Sequence, residues 1–268
     1  MFRFIFRVLG LSLFCSAAAL ATTNCTFTNT GTTMTLDADC TTDSTIFVPD
    51  GWTLDGAGHT ITAIDPSGGH FKGAVVRNQG ATANVINLTI TASGLKDVCD
   101  AGDDRLRGIL FDGAGGEILG NTITNVNQGA SGCQEGNGIE VRNAPFDIGG
   151  TDVNVTISDN TVSNYQKTGI VANGSVRAAI TNNTVMGAGP VSYIAQNGIQ
   201  VAFGGTAVVS GNTVSGNNYT GTTGAVSCGL LFFDADGVKA MRNFISGGNQ
   251  RPMGNFGKGG GDVFPFKE

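Results

Sequence analysis

A short motif recurs along the chain: a glycine, then isoleucine or leucine, then a second apolar residue two positions later. The intervals between the glycines of successive copies are 30, 31, 29 and 31 residues. A unit of this length cannot bury an apolar face alone, so successive units must stack on one another. The five copies of this Gly motif are Gly108-Ile109-Leu110-Phe111, Gly138-Ile139-Glu140-Val141, Gly169-Ile170-Val171-Ala172, Gly198-Ile199-Gln200-Val201 and Gly229-Leu230-Leu231-Phe232.

A second motif, asparagine followed by threonine and a β-branched residue, lies between the copies of the first. Both motifs alternate in polarity, which predicts short strands with one buried face. Stacking gives each strand a parallel partner at about 4.8 Å. Asparagine suits a sharp corner, because it tolerates left-handed backbone and bonds to neighbouring amides. The copies of this Asn motif begin at Asn121, Asn160, Asn183, Asn212 and, with phenylalanine in place of threonine, Asn243.

Composition agrees with a stack of strands. The chain has 42 glycines, 30 threonines and 23 asparagines among 268 residues. All three have low helix propensity, so a helical protein is excluded. The regularly placed isoleucine, valine and phenylalanine residues argue against disorder.

The repeated turns, together with the opening segment from Val48 to Ile61, resemble the pectate-lyase-like superfamily of parallel β-helices. The resemblance covers roughly residues 46–246 and implies an all-β, right-handed parallel β-helix, a solenoid of about 7–8 coils with capped ends. Residues 22–45 are then the N-terminal cap. Residues 247–268, with Phe256, Phe264 and Phe266, are a C-terminal cap or tail.

The first 21 residues have the pattern of a secretory signal peptide. Arg3 and Arg7 precede an apolar stretch, and Ala19-Leu20-Ala21 fits a cleavage site. We therefore expect a secreted protein, extracellular or periplasmic, with no membrane span. Without residues 1–21 the chain has 13 basic and 21 acidic residues and a net charge of −8. Such a charge disfavours nucleic acid as a partner.

The cysteines fit an oxidising compartment. Cys25 and Cys40 could staple the N-terminal cap, and Cys99 and Cys133 lie in consecutive loops and could pair. Cys228 is left over and is expected to be a small buried residue. A lipoprotein anchor at Cys15 is the less favoured alternative to secretion, because the bulky Phe14 precedes it. With two histidines and no Cys-x-x-Cys pair, a zinc site is not expected.

Alternation predicts which side chains of the Gly-motif strands face outward. Arg77, Asp112 and Arg142 should stack as a ladder of alternating charge, with Glu140 beside it. The loops that lead from each Asn motif to the next Gly motif should form one wall of a groove. The predicted columns are Val75, Leu110, Glu140, Val171, Gln200 and Leu231, and beside them Arg77, Asp112, Arg142, Asn173, Ala202 and Phe233.

The resemblance implies a polysaccharide site on this face. Lyases of the superfamily bind Ca²⁺ through carboxylates and use an arginine or lysine as the base. Calcium is thus the candidate ion, with Asp97, Asp100, Asp103 and Asp104 as metal ligands. Arg142 or Lys167 would be the base if its pKa is lowered. A hydrolase would instead use a carboxylate pair, Asp112 and Glu140. The candidates for substrate binding are Arg77, Asn173, Gln200, Tyr165 and Tyr193.

The catalytic motifs of the superfamily are incomplete here. Asp103-Asp104 stands in a loop, Gly58-His59 is followed by threonine, and Asp65-Pro66 is followed by serine. The charged residues could instead pair with one another on a solvated face. Two functions therefore remain open: binding or processing of an extracellular polysaccharide or cell-surface glycan, and a non-catalytic adhesion or structural module. The oligomeric state is open as well.

Overall fold

The computed structural model describes residues 23–146 and 150–256, and this part of the chain is built almost entirely of strands. A single 3₁₀ turn, Gly102–Asp104, is the one helical element within it. The strands are β1 (Phe27–Thr30), β2 (Thr33–Leu36), β3 (Cys40–Thr42), β4 (Ile46–Val48), β5 (Trp52–Asp55), β6 (Thr60–Ala63), β7 (Ala74–Asn78), β8 (Thr82–Ile86), β9 (Thr89–Ala92), β10 (Arg107–Asp112), β11 (Gly115–Leu119), β12 (Thr122–Thr124), β13 (Asn137–Asn143), β14 (Val153–Ser158), β15 (Thr161–Ser163), β16 (Thr168–Gly174), β17 (Val176–Thr181), β18 (Thr184–Val191), β19 (Asn197–Ala202), β20 (Thr206–Ser210), β21 (Thr213–Tyr219), β22 (Cys228–Phe233), β23 (Gly237–Met241), β24 (Phe244–Ile245) and β25 (Arg251–Phe256).

Three long sheets take up these strands in rotation. The Gly-motif sheet runs β4-β7-β10-β13-β16-β19-β22-β25, and the Asn-motif sheet runs β3-β6-β9-β12-β15-β18-β21-β24. The third sheet runs β1-β2-β5-β8-β11-β14-β17-β20-β23. Every pairing among the described strands is parallel except that of β1 with β2. Stacked parallel strands in regular order are consistent with a parallel β-helix, as the repeat predicted.

The core is a set of apolar columns inside the three sheets. The first isoleucine or leucine of each Gly motif is fully buried, and so is the β-branched residue of most Asn motifs. Steric contacts explain why each copy of the Gly motif begins with glycine. A Cβ atom on Gly138 would lie 2.4 Å from Val162 Cγ1 and 2.8 Å from the carbonyl oxygen of Gly169. The second residue of β13 therefore has no room for a side chain.

The asparagines of the Asn motif form a buried ladder at one corner. Each side-chain amide donates to the side-chain oxygen of the next asparagine at 2.9–3.0 Å. The same oxygen accepts the backbone N–H of the preceding asparagine. These bonds link consecutive coils, so the expectation of stacked asparagines is confirmed. The ladder consists of Asn121, Asn160, Asn183, Asn212 and Asn243.

The predicted register of the Gly-motif sheet is confirmed from β10 onward and is wrong at β7. Leu110 aligns with Glu140, and Asp112 with Arg142. Arg77, however, lies opposite Leu110 and not opposite Asp112. The predicted columns placed Val75 beside Leu110 and Arg77 beside Asp112, but β7 aligns with β10 two residues away from that match. A shift of two keeps Arg77 on the outward face, because side chains alternate with a period of two.

At the N-terminal end the antiparallel strand β1 covers the edge of the third sheet. A disulfide joins Cys25 to Cys40 with a Cα–Cα distance of 5.0 Å, as expected. The strands β2 and β3, within residues 22–45, already belong to the stack.

At the other end β25 pairs with β22, so stacking continues past residue 246. The predicted signal peptide, Phe264 and Phe266 lie outside the described residues.

Candidate functional site

A groove runs along the outward face of the Gly-motif sheet. It consists of two adjoining depressions with volumes of about 370 and 200 Å³. Four residues line both: Arg105, Glu140, Asn173 and Phe203. The larger depression is also lined by Gly102, Arg107, Arg142 and Phe146, and the smaller by Gln134, Asn137, Lys167, Thr168, Val171 and Gln200.

The loop at residues 97–106 forms one wall of this groove, as the loop positions predicted. The expected disulfide between Cys99 and Cys133 joins this loop to the next one. The buried carboxylate of Glu135 accepts the backbone N–H groups of Asp100 and Leu106 at 2.9 and 2.7 Å. A covalent link and two charge-assisted hydrogen bonds therefore hold the wall in place.

The four aspartates predicted as metal ligands face different partners. Asp100 contacts His70 Nε2 at 2.8 Å, and Asp104 contacts Lys72 Nζ at 2.9 Å. Asp103 bonds to two arginines of the sheet, and Asp97 Oδ1 lies 3.5 Å from Cys133 Sγ. Within the residues that the structure describes, no three acidic, histidine or cysteine side chains come together as a possible metal site.

The predicted charge ladder exists as a network of ion pairs. Asp112 Oδ2 accepts from Arg77 Nη2 and from Arg142 Nη2, each at 2.8 Å. Asp103, in the loop at residues 97–106, accepts hydrogen bonds from the same two arginines. Burial alone would lower the pKa of Arg142, but the hydrogen bonds to Asp112 and Asp103 outweigh it and raise the pKa. Arg142 is thus a permanent cation, and the condition set for a base is not met there.

Glu140 lies on the floor of the groove and forms a buried ion pair. Its Oε2 accepts from Arg107 Nε and from Asn137 Nδ2, both at 2.7 Å. The sequence predicted Arg107 only as a loop residue that could overhang the charged ladder, and it did not indicate Asn137. Arg107 reaches Glu140 from the preceding coil, whereas Asn137 lies three residues before Glu140 on the same strand, β13. Both carboxylates of the hydrolase hypothesis, Asp112 and Glu140, are therefore engaged with arginines.

Lys167 differs from these residues because no carboxylate in the described part of the chain forms an ion pair with it. Its Nζ donates to the carbonyl oxygen of Ala195 at 2.8 Å, and burial lowers its pKa. Of the two residues considered as a base, Lys167 is the one whose pKa moves in the required direction. Arg105, exposed at the rim of both depressions, also makes no ion pair with the described residues.

Amides and aromatic rings complete the groove. Gln200 Nε2 donates to Asn173 Oδ1 at 3.3 Å, so these two substrate-binding candidates lie together. The rings of Phe146 and Phe203 are 46% and 37% exposed, although both line the groove. Phe203 follows its strand in left-handed backbone with φ of 54°, and it packs edge-to-face on Phe233. The strand pattern gave no signal for either groove ring.

The two tyrosines lie elsewhere. Tyr165 is 1% exposed, packs in the core and donates to Asn217 Oδ1 at 2.5 Å. Burial raises its pKa. Tyr193 is half-buried in the loop after β18 and is not among the groove residues. The structure therefore brings Arg77, Asn173 and Gln200 to the groove or its border, and not the tyrosines.

Comparison of the chain with known protein families, curated proteins and solved structures gives no match. In the described part of the chain, no helix has the length and apolar character needed to cross a bilayer. The two disulfides are consistent with an oxidising compartment. The fifth described cysteine, Cys228, is a buried free thiol, as expected.

Proposed function

We propose that this chain is a secreted, right-handed parallel β-helix protein of the pectate-lyase-like kind that binds an acidic polysaccharide in its groove. The three-sheet rotation and the repeat of about 30 residues support the fold assignment. Seven to eight coils, roughly, would account for the number of strands in each sheet. The two disulfides support secretion.

The charge balance of the groove carries the proposal. The lining residues include four cations, Arg105, Arg107, Arg142 and Lys167, against one carboxylate, Glu140. Arg107 neutralises Glu140, and Asp103 and Asp112 face Arg142 and Arg77. No carboxylate among residues 23–146 and 150–256 pairs with Arg105 or Lys167. In an acidic chain, such a local excess of positive charge attracts an anionic ligand.

The neutral groups of the groove suit a sugar chain. Asn173 and Gln200 offer amide donors and acceptors to hydroxyl groups. Phe146 and Phe203 present ring faces on which the apolar side of a pyranose can pack. A groove that continues across β13, β16 and β19 accommodates an extended polymer along the axis of the stack. The ligand class that fits best is therefore a uronate-type polysaccharide.

If the protein also cleaves its ligand, Lys167 is the residue we assign as the base. As a neutral amine, its Nζ would take the proton next to the uronate carboxylate while the bond to the leaving oxygen breaks. A double bond forms in the sugar, and a proton from solvent reaches the leaving oxygen. Arg105 or Arg142 would hold the carboxylate. Lowering of the Lys167 pKa supports this role.

A second candidate, a non-catalytic adhesion module, is favoured by the ion pairs themselves. Asp112, Glu140 and Arg142 each contact an opposite charge directly. Such a ladder stabilises a surface without catalysing a reaction. In this case the groove would retain a cell-surface glycan through Arg105, Lys167 and the aromatic rings.

One experiment separates these functions. The secreted chain is incubated with uronate polymers and with neutral polymers, with and without Ca²⁺, and two readouts are followed together. The first is the ultraviolet absorbance of unsaturated products, and the second is retardation of the protein in gels that contain each polymer. Product formation supports a lyase, and retardation without product supports the adhesion module. The proposal would be overturned if every uronate polymer gave neither unsaturated products nor retardation of the protein.

A further inference from the structure

The outward face of the Asn-motif sheet carries a column of threonines on six successive strands. They stand in one-to-one parallel register, with no insertion between neighbours. The four at β12, β15, β18 and β21 are exposed, and the first two are half-buried. The first column consists of Thr60, Thr89, Thr122, Thr161, Thr184 and Thr213.

A second column of hydroxyl side chains stands beside the first, two residues further along each strand. It is interrupted once, at β18, where Met186 projects with 51% of its surface exposed. The strand β3 contributes its first member, which pairs with Thr62. The second column consists of Thr41, Thr62, Thr91, Thr124, Ser163 and Ser215.

The two columns form a two-dimensional lattice. Rungs repeat at about 4.8 Å across the sheet, and the columns stand about 6.6 Å apart along the strands. Threonine is stiff at χ1, so each threonine of the two columns presents its methyl and hydroxyl groups in a restricted orientation. A regular array of this kind fits a partner that is itself periodic in two dimensions.

The buried asparagine ladder makes this lattice rigid. In four of its rungs the asparagine directly precedes a threonine of the first column, as in Asn160-Thr161 and Asn183-Thr184. The bonds between asparagines link the strands immediately beneath the threonines. The array is therefore formed before any ligand arrives, and little entropy is lost on binding.

Charge distinguishes this face from the groove. Neither column contains an acidic or basic side chain, whereas the groove lining has five ionisable residues. A neutral face complements a neutral partner, and it offers no counter-charge to an acidic polymer. Its mixture of methyl and hydroxyl groups can both order water and bond to it.

From this combination we infer that the Asn-motif sheet is an ice-binding surface. Ice presents a neutral, rigid lattice of water oxygens. Its repeat along the surface is close to the spacing of β-sheet rungs, so several threonines can engage it at once. This inference does not depend on the polysaccharide groove, because the two sites lie on different sheets.

The test measures inhibition of ice recrystallisation and the shape of growing ice crystals with the secreted chain. We expect activity from the wild type and a loss of about tenfold or more in Thr161→Tyr, because a bulky ring lifts the face from a flat partner. Thr156→Tyr, on the third sheet, is the matched control and should keep full activity. Melting curves confirm that both variants fold.

A gain-of-function variant excludes misfolding as an explanation. Met186→Thr fills the gap in the second column and should increase inhibition. Lys239→Met, at an exposed position on the third sheet, should leave it unchanged. The inference is overturned if the wild type neither shapes ice nor slows recrystallisation, or if Thr161→Tyr is as active as Thr156→Tyr. It is overturned equally if the face retains crystalline cellulose but not ice.

Discussion

Arg107 Nε donates to Glu140 Oε2 at 2.7 Å across two adjacent strands, and both side chains are buried beneath the groove. The pair connects β10 to β13 and also holds Asn137. Its position explains how a cation-rich groove can be built in an acidic protein. Glu140 neutralises the deepest arginine, whereas Arg105 and Lys167 remain available to a ligand.

We expect removal of one partner of this pair to destabilise the protein strongly. Glu140→Gln leaves the Arg107 guanidinium buried without a counter-charge, which costs about 3–5 kcal/mol. Urea unfolding followed by circular dichroism measures the change in free energy. The double variant Arg107→Met/Glu140→Leu should recover most of the loss. A single variant as stable as the wild type would show that the pair contributes nothing.

The Lys167 side chain gives a prediction about pH. Burial lowers the pKa of Lys167 in the folded protein, whereas in the unfolded chain the pKa of a lysine is about 10.4. Between these two values the unfolded state binds more protons, so the contribution of Lys167 to stability rises with pH. Lys167→Met removes a buried charge and should stabilise the protein at pH 7. The excess in unfolding free energy of Lys167→Met over wild type should shrink as the pH rises from the folded pKa of Lys167 to its unfolded pKa.

Unfolding free energies of Lys167→Met and wild type, measured from neutral to alkaline pH, check this prediction. Lys239→Met serves as the control, because Lys239 is exposed on the third sheet and should show no such trend. A constant difference between Lys167→Met and wild type at every pH would mean that the amine is not perturbed.

The wall of the groove depends on Glu135. In Glu135→Gln the side-chain NH₂ group faces one of the two backbone N–H groups, so one buried hydrogen bond is lost at a cost of about 1–3 kcal/mol. We expect faster amide hydrogen exchange at Asp100 or Leu106, with the Gly-motif strands unchanged. Glu117→Gln, at an exposed position on β11, should leave the exchange as it is. Unchanged protection at both amides would contradict this role.

The asparagine ladder should account for a large share of the cohesion between coils. Asn183 donates to Asn212 and to the Ile157 carbonyl, and it accepts two bonds from Asn160. Asn183→Ala leaves several buried groups unpaired, so we expect a loss of about 3 kcal/mol or more. Thermal and urea unfolding measure it, with the exposed Asn154→Ala as the control. Equal stability of the two variants would show that the ladder is dispensable.

The fold could be predicted from the sequence because a repeat places the same physical requirement at each coil. The glycines mark strand starts where a side chain would clash with the next coil, and the asparagines mark a corner that needs hydrogen-bonding groups. The predicted register was wrong at β7, where Gly73 is followed by Ala74 and not by the isoleucine or leucine that follows the glycine in the five Gly motifs. The disulfide between Cys99 and Cys133 could be predicted, because the two cysteines belong to consecutive loops. The disulfide between Cys25 and Cys40 could be predicted, because both lie in the N-terminal segment.

The site was less predictable, because its contacts run between coils and from loops. Tyr165 lies between β15 and β16, where the alternation of strand residues predicts no side-chain direction. In the structure its ring packs in the core. Phe203 reaches the groove through a left-handed turn after β19, which no strand pattern signals. The partners of Asp100, Asp103 and Asp104 depend on how the loop folds over the sheet. Residue types alone therefore indicated a charged face but not which charges were already paired.

The most direct measurement of the central claim is the affinity of a uronate oligosaccharide for the groove, determined by calorimetric titration at low and high salt. The wild type should bind, and binding should weaken with salt. Arg105→Gln/Lys167→Met should lose about tenfold or more in affinity, whereas Arg177→Gln/Lys239→Met, with the same change in net charge on the third sheet, should bind as the wild type. Equal affinities for the two double variants, or tighter binding of a neutral oligosaccharide, would contradict an acidic-polysaccharide groove.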